Sequence, residues 1–261
     1  MKVACIQNSI KTGDVKENLK TFVNDLQFCN ENSVDIVVFP EMFATGFDYE
    51  NILEHSKKVN LILEDISNKL NDGTLAILSL PENEDGKVFN TIFAITNEGI
   101  KAKYRKIFLF SPLNEDTYFS KGDFYVPILD FKDFKVSLHT CYEIRFPELF
   151  RIAAYNGSNL MIIPAIWPEF KKYHWLTLLR ARAIENQCYV VGCNSYEVKT
   201  TKKNLLCGHS AIFDPWGETE GYIENVSKVL VSEISIDKIV EVREKIPSLK
   251  DASSYFKINK K

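Results

Sequence analysis

An α/β fold follows from three observations. Short apolar runs of strand character alternate with segments whose apolar residues recur at helical spacing. Turn signals such as Asp85-Gly86 and Asn97-Glu98-Gly99 separate them. No linker, repeat or low-complexity stretch interrupts the alternation. With 261 residues and 45% hydrophobic content, the chain can bury a sizeable core, so residues 1–261 read as a single domain.

The elements follow in order. Met1 to Gln7 reads as a short strand and not as a signal peptide. Asp14 and Glu17 resemble a capping pair, and Leu19, Phe22, Val23 and Leu26 then lay one apolar stripe along a helix. Val34 to Phe39 is an unbroken apolar run suited to a buried strand, and it ends at Pro40-Glu41. Val59, Leu63, Ile66 and Leu70 share one side of a helix over 57–70. Strands are expected over 74–80, 88–96, 99–104 and 134–140. A helix over 147–156 opens on Pro147, which suits a first turn, and closes at Gly157, which suits a C-cap. A strand over 159–164, a helix over 174–187 and strands over 188–194, 209–213 and 228–236 complete the chain.

Composition narrows the function classes. A net charge of −3 gives no reason to expect a nucleic-acid or anionic-membrane partner, and no apolar run approaches the length of a membrane span. The six cysteines (5, 29, 141, 188, 193, 207) contain no C-x-x-C pair, which supports neither a zinc ribbon nor a dithiol redox site. They read as reduced thiols of a cytoplasmic protein, with Cys5, Cys188 and Cys193 in the core. Lys257, Lys260 and Lys261 read as a solvated tail.

One run carries chemistry. The strand over 134–140 feeds directly into Cys141, and a helical turn starts at once, with Pro147 and Glu148 close behind. A thiol on such a corner is exposed beside backbone N–H groups that can hold negative charge. Alone, a cysteine is more simply a small buried hydrophobe. Two further residues sit at comparable corners. Glu41 ends a buried strand, where a carboxylate is badly solvated unless paired, and so is placed to act as a base. Lys106 enters the apolar run Ile107-Phe108-Leu109-Phe110 and must meet a partner or lose its charge.

Taken together these stretches resemble the nitrilase superfamily of carbon–nitrogen hydrolases, whose triad is Glu, Lys and Cys in that chain order. The motifs are Phe39-Pro40-Glu41-Met42-Phe43-Ala44-Thr45-Gly46-Phe47, Tyr104-Arg105-Lys106-Ile107-Phe108-Leu109-Phe110 and Cys141-Tyr142-Glu143-Ile144-Arg145-Phe146-Pro147-Glu148. The likeness continues through Trp167-Pro168, His174-Trp175, Ala181 to Gln187, Gly208-His209-Ser210 and Arg243 to Pro247, and so covers almost the whole chain. Its nearest branch is similar to the omega-amidases, which act on 2-oxo acid amides. Phe108 stands where a histidine is common, and Glu143 where aspartate is usual.

The resemblance implies an α-β-β-α sandwich of two stacked mixed sheets flanked by helices. It implies a Cys141 nucleophile, a Glu41 base and a Lys106 cation, with no metal or cofactor. Tyr142 N–H is the natural second oxyanion donor, an effect worth about 3–4 kcal/mol in comparable enzymes. Glu115 occupies the place of an accessory carboxylate that orients Lys106, with Asp116 the neighbouring alternative. Phe43, Tyr142 and Trp167, bulky and near strand ends, imply a small cavity. Arg145 either binds a substrate carboxylate or locks the elbow. His174 and Trp175 either line the cavity or pack.

Other residues read more plainly. His139 is taken as a core histidine, because Glu41 already supplies a base. Arg182 and Glu185, three apart on a helix, read as a local ion pair. The helix over 174–187, with Trp175, Leu178, Leu179, Arg180 and Arg182, is placed by the resemblance near a two-fold contact. A homodimer is therefore expected, with 246–256 reaching toward the partner. The leading activity is hydrolysis of a small carboxylate-bearing amide, such as 2-oxoglutaramate or succinamate, through a thioester with release of ammonia. An N-carbamoyl amine hydrolase or a true nitrilase is the second reading. A non-catalytic regulatory protein on the same fold is the third, and the intact triad argues against it.

Overall fold

The structure is a computed structural model that describes residues 1–196 and 207–253. Its strands are β1 (Lys2–Gln7), β2 (Ile36–Val38), β3 (Leu75–Glu84), β4 (Lys87–Thr96), β5 (Gly99–Arg105), β6 (Ile128–Phe131), β7 (Phe134–Leu138), β8 (Leu160–Ala165), β9 (Tyr189–Asn194), β10 (Ala211–Phe213), β11 (Thr219–Tyr222) and β12 (Lys228–Glu233). Its α-helices are α1 (Val15–Glu31), α2 (Ile52–Ser56), α3 (Val59–Ser67), α4 (Glu115–Tyr118), α5 (Pro147–Tyr155), α6 (Lys172–Asn186), α7 (Ile236–Lys245) and α8 (Ser248–Ser253).

Two mixed six-stranded sheets result. The first runs β12-β1-β2-β3-β4-β5 and the second β11-β10-β9-β8-β7-β6. β1, β2 and β3 are mutually parallel, as are β7, β8 and β9, and antiparallel strands close each sheet at its edges. The central strands are apolar on both faces because both faces are covered. Val3, Cys5, Ile36, Val38 and Ile77 of the first sheet join Val136, Leu138, Ile162, Val191 and Cys193 of the second in one core between the sheets. On the outer face of the first sheet, Phe22 and Leu26 of α1 and Ile62 and Ile66 of α3 pack over Ala4, Ile6, Val37 and Leu78. On the outer face of the second, α5 and α6 bury Phe150, Trp175, Leu179 and Ala183. The approach of α6 to β9 is so close that a Cβ at Gly192 would lie 2.5 Å from a Leu179 methyl. This is the α-β-β-α sandwich expected.

Most differences from the expected elements lie at edges. β3 runs on to Glu84 and pairs with β4 across Asp85-Gly86, both at positive φ (52° and 80°), as a two-residue hairpin of the primed type requires. β6 and β11 were not foreseen. Both are short edge strands, and β11 (Thr-Glu-Gly-Tyr) has too little apolar character to signal a strand. The strand expected over 228–236 ends at Glu233. Ser235 then accepts the Asp237 N–H as an N-cap and starts α7, which buries Ile239 and Val242. Of the tail expected to reach a partner, α8 is described; residues 254–256, and Lys257, Lys260 and Lys261, lie outside the described residues.

Candidate active site

Strand ends of both sheets meet at one cleft. Glu41 lies three residues beyond β2, Lys106 directly beyond β5, Cys141 three residues beyond β7, and Ile166 and Trp167 just beyond β8. The cleft encloses about 300 Å³. Glu41, Lys106, Glu115, Cys141, Tyr142, Arg145 and Trp167 all line it.

Two corners are bent into the left-handed region: Met42, directly after Glu41, at φ 47°, and Cys141 at φ 43°. That conformation costs a residue with a Cβ about 1–3 kcal/mol. At Cys141 it turns the chain from β7 into a 3-10 turn over Cys141–Arg145 and leaves Sγ facing the cleft, 3.8 Å from the Ile166 carbonyl. Tyr142 holds the second position of that turn, where helical geometry leaves the N–H without an intrahelical acceptor.

Lys106 is only 1% exposed. Its Nζ donates to Glu41 Oε1 at 2.9 Å and to both oxygens of Glu115, at 2.9 and 2.8 Å. Burial opposes its charge, but the two carboxylates outweigh burial and hold its pKa above the usual lysine range. Lys106 is therefore a fixed ammonium. The Cys141 thiol is pushed well above the ordinary thiol range, first by burial and then by the negative charge of Glu41; Lys106 pulls the other way. At rest Cys141 is thus a neutral thiol.

Behind the triad lies a chain of donors that sequence reasoning missed. Asn90, in the middle of β4, gives one amide N–H to Glu41 Oε1 (2.8 Å) and one to Glu115 Oε1 (3.0 Å). Its carbonyl accepts the Ser79 hydroxyl at 3.1 Å, and Ser79 Oγ accepts the Met42 N–H at 3.1 Å. With the Met42 N–H at its start, the chain has one direction, so each Asn90 hydrogen points at a carboxylate. Ile166 N–H donates to Glu41 Oε2 at 3.2 Å, and Phe110 N–H to Glu115 Oε2 at 2.7 Å. A signal did exist: Asn90 is an amide in the largely apolar run Val88 to Phe93, and a buried amide needs partners.

Burial separates the neighbouring acids Glu115 and Asp116 at the start of α4. Glu115 is buried against Lys106, whereas Asp116 is exposed. Phe43 is a correction. It is fully buried between Phe22 and Phe39, with ring centroids 5.4 and 4.8 Å away, in the core beneath α1. The cleft aromatics from that stretch are instead Phe47 and Tyr49, to which Phe110 and Phe170 add.

Both unusual motif residues are accounted for. Phe108 stacks on Phe146 at 3.9 Å, joining the lysine motif to the cysteine motif. Glu143 accepts from Tyr104 OH (2.8 Å), Ile107 N–H (2.7 Å), Phe108 N–H (3.2 Å) and Thr140 N–H (2.8 Å). Burial raises its pKa to about 7 in spite of these donors. It ties the elbow to the segment that carries Lys106. Arg182 goes beyond a local pair: besides Glu185 at 2.8 Å, it donates twice to the Ile144 carbonyl, at 3.1 and 2.8 Å. His139 is fully buried, bonded to Ser137 Oγ at 3.0 Å and stacked on Phe150, and burial followed by Arg182 lowers its pKa to about 3. Trp175 packs, donating to the His209 carbonyl, while His174 stands exposed beside Arg145 Nη2 at 3.3 Å.

Comparison with known proteins agrees with this geometry. The carbon-nitrogen hydrolase family model matches residues 2–244. A 2-oxoglutaramate amidase of Bacillus subtilis (strain 168) is 34% identical over 257 residues, covering 95% of this chain and 96% of that protein. The omega-amidase NIT2 of Mus musculus is 29% identical over 265 residues, covering 95% and 94%. Among solved structures, XC1258 of Xanthomonas campestris superimposes with a TM-score of 0.88 at 26% identity, covering 98% of each chain. It is described as a CN-hydrolase superfamily protein with an arsenic adduct in the active site.

Proposed function

The chain belongs to the carbon–nitrogen hydrolase family, and from that premise we propose that it hydrolyses a small amide carrying a carboxylate at its far end, through a thioester on Cys141. The observation that carries the proposal is the buried ammonium of Lys106, shared between Glu41 and Glu115 in the cleft that Cys141 faces. Glu41 takes the thiol proton as Sγ attacks the amide carbonyl. The oxyanion that forms faces Lys106 and the Tyr142 N–H. As the C–N bond breaks, Glu41 returns the proton to the leaving nitrogen and ammonia departs. Glu41 then deprotonates a water that attacks the thioester, and the same proton restores the thiol as the acid leaves. Glu115 orients Lys106 throughout. Amide relatives of the 2-oxoglutaramate and omega-amidase kinds support the substrate class, as does the small cavity of about 300 Å³.

A substrate panel scored by ammonia release tests this reading. Succinamate and 2-oxoglutaramate should exceed the neutral isostere 4-methylpentanamide by about 10- to 100-fold in kcat/KM, the scale of one or two charge-assisted hydrogen bonds. Equal rates on the neutral amide reject the carboxylate pocket. Faster ammonia release from an N-carbamoyl amine would replace the proposed substrate class.

Asn90 gives a second check. In Asn90→Ala both carboxylates lose a donor and the Ser79 hydroxyl loses its acceptor. A fall in kcat of about 100-fold is expected, because small misplacements of catalytic groups cost that much. Asn90→Asp adds a third acid to the cluster and should be worse still. Wild-type kcat in Asn90→Ala would remove the residue from the machinery.

Residues 1–261 are proposed to act as one catalytic domain, a reading supported by the core that both sheets share. The six cysteines are all free thiols, which supports a cytoplasmic location. A homodimer through α6 is also proposed. Trp175 and Leu179, counted toward that face from sequence, point into their own protomer's core. The support comes instead from an open groove of about 770 Å³ beside α6, lined by Ile184, Trp216, Val242 and Ile246. Sedimentation at micromolar concentration should give twice 30.0 kDa; a single 30.0 kDa species rejects the dimer.

A further inference from the structure

Five charged side chains line the catalytic cleft among the described residues: Glu41 and Glu115 against Lys106, Arg145 and Lys171. The first two and Lys106 satisfy one another. Arg145 and Lys171 are half-buried, and no carboxylate of the described residues lies within ion-pair distance of either. With the thiol neutral, the lining carries one net positive charge. That charge calls for a single anion from the substrate, since half-buried cations facing an apolar ligand would lose solvation without a partner.

The two cations are held differently. Arg145 lies over Trp167, with Cζ 4.8 Å from the ring centroid, and its Nη2 is already turned toward His174. Lys171 ends the 3-10 turn over Glu169–Lys171 that follows β8, Trp167 and Pro168. Its Nζ lies 5.1 Å from the ring centroids of both Phe110 and Phe170, and all three residues line the cleft. Two rings steady an ammonium but leave its three N–H donors without strong acceptors. The nearest acid in the chain, Glu169, faces Lys172 at 3.5 Å and His209 at 3.8 Å. The Lys171 carbonyl accepts the Trp167 indole N–H at 2.9 Å, so its backbone is fixed to the cleft wall while its ammonium is uncommitted.

We infer that Lys171 is the specificity-determining residue of this site, binding the far-end carboxylate of a monoanionic acyl amide across the cleft from Cys141. The inference rests on the amide-hydrolase reading above and adds to it which side chain selects the acid. Arg145 closes the same anion from the elbow side. Lys171 contacts no reacting atom, so its effect belongs in substrate binding.

The test measures kcat and KM for wild type, Lys171→Met and Lys171→Arg on succinamate and 4-methylpentanamide. Methionine keeps the length and apolar stem but removes the charge, and the backbone contact to Trp167 does not depend on the side chain. The ratio of kcat/KM for the acid over the neutral amide should fall about 10- to 100-fold in Lys171→Met, chiefly through KM for succinamate, with most of it restored in Lys171→Arg. A ratio that stays at the wild-type value, whether both substrates fall together or neither moves, overturns the role of Lys171 and leaves the amidase reading intact. A wild-type enzyme with no preference for the acid overturns both.

Discussion

Replacing Cys141 with alanine is expected to abolish ammonia release while leaving the fold intact. The side chain is small and faces the cleft, so its loss opens no sealed cavity in the core. Its backbone strain at φ 43° belongs to the corner and remains with alanine. Cys141→Ser is the sharper variant. It keeps the shape of the side chain, yet a hydroxyl is far harder to deprotonate than a thiol, and burial and Glu41 already favour the protonated form. Serine should therefore lose at least about 1,000-fold in kcat, or about 4 kcal/mol in the barrier. Intact mass spectrometry with a slow amide should show an acyl adduct on Cys141 of wild type and none on either variant. The other five cysteines are buried, and Cys29, Cys188, Cys193 and Cys207 have pKa values raised mainly by burial. An adduct on any of them, or substantial turnover by Cys141→Ala, would defeat the assignment.

Linear motifs made much of this site legible. Glu41, Lys106 and Cys141 each stand at the end of a strand-like run, and the sandwich then brings those ends together without further instruction. Glu115 was legible only to within one residue, because its burial depends on how the loop after Phe110 turns through Asn114 at φ 58°. Phe43 illustrates the opposite failure. A bulky residue after a strand end reads as cavity lining, but with Met42 in the left-handed region Phe43 enters the core beside Phe22 and Phe39. Asn90, Ser79 and Lys171 lay outside the quoted motifs. Their importance comes from what faces them across the sheet or the cleft, and one-dimensional spacing does not contain that. β11 was lost because a polar edge strand carries little hydrophobic period, whereas α7 is amphipathic and was missed because the strand expected over 228–236 ran past its Ser235 cap.

Lys106→Met should be the most damaging substitution to stability, and it should be inactive as well. The wild-type cluster sets two buried carboxylates around one buried ammonium, all within hydrogen-bonding distance. Removing the cation leaves Glu41 and Glu115 joined through Asn90 with no opposing charge between them. Breaking a buried ion pair from one side typically costs about 3–5 kcal/mol, because the surviving charge stays desolvated. Two surviving charges put this variant at the upper end of that range. Activity is lost for a separate reason, since the ammonium that would stabilise the thiolate and the oxyanion is gone. The double variant Lys106→Met with Glu115→Gln separates the two effects. It removes one stranded charge and lets the new amide donate to Glu41, so it should recover a large part of the stability and none of the turnover. Urea midpoints for the two variants and wild type, read beside ammonia release, make the comparison. If Lys106→Met unfolds at the wild-type midpoint, the buried cluster is not holding the site together as described. If the double variant is less stable than the single one, like-charge repulsion is not the source of the loss.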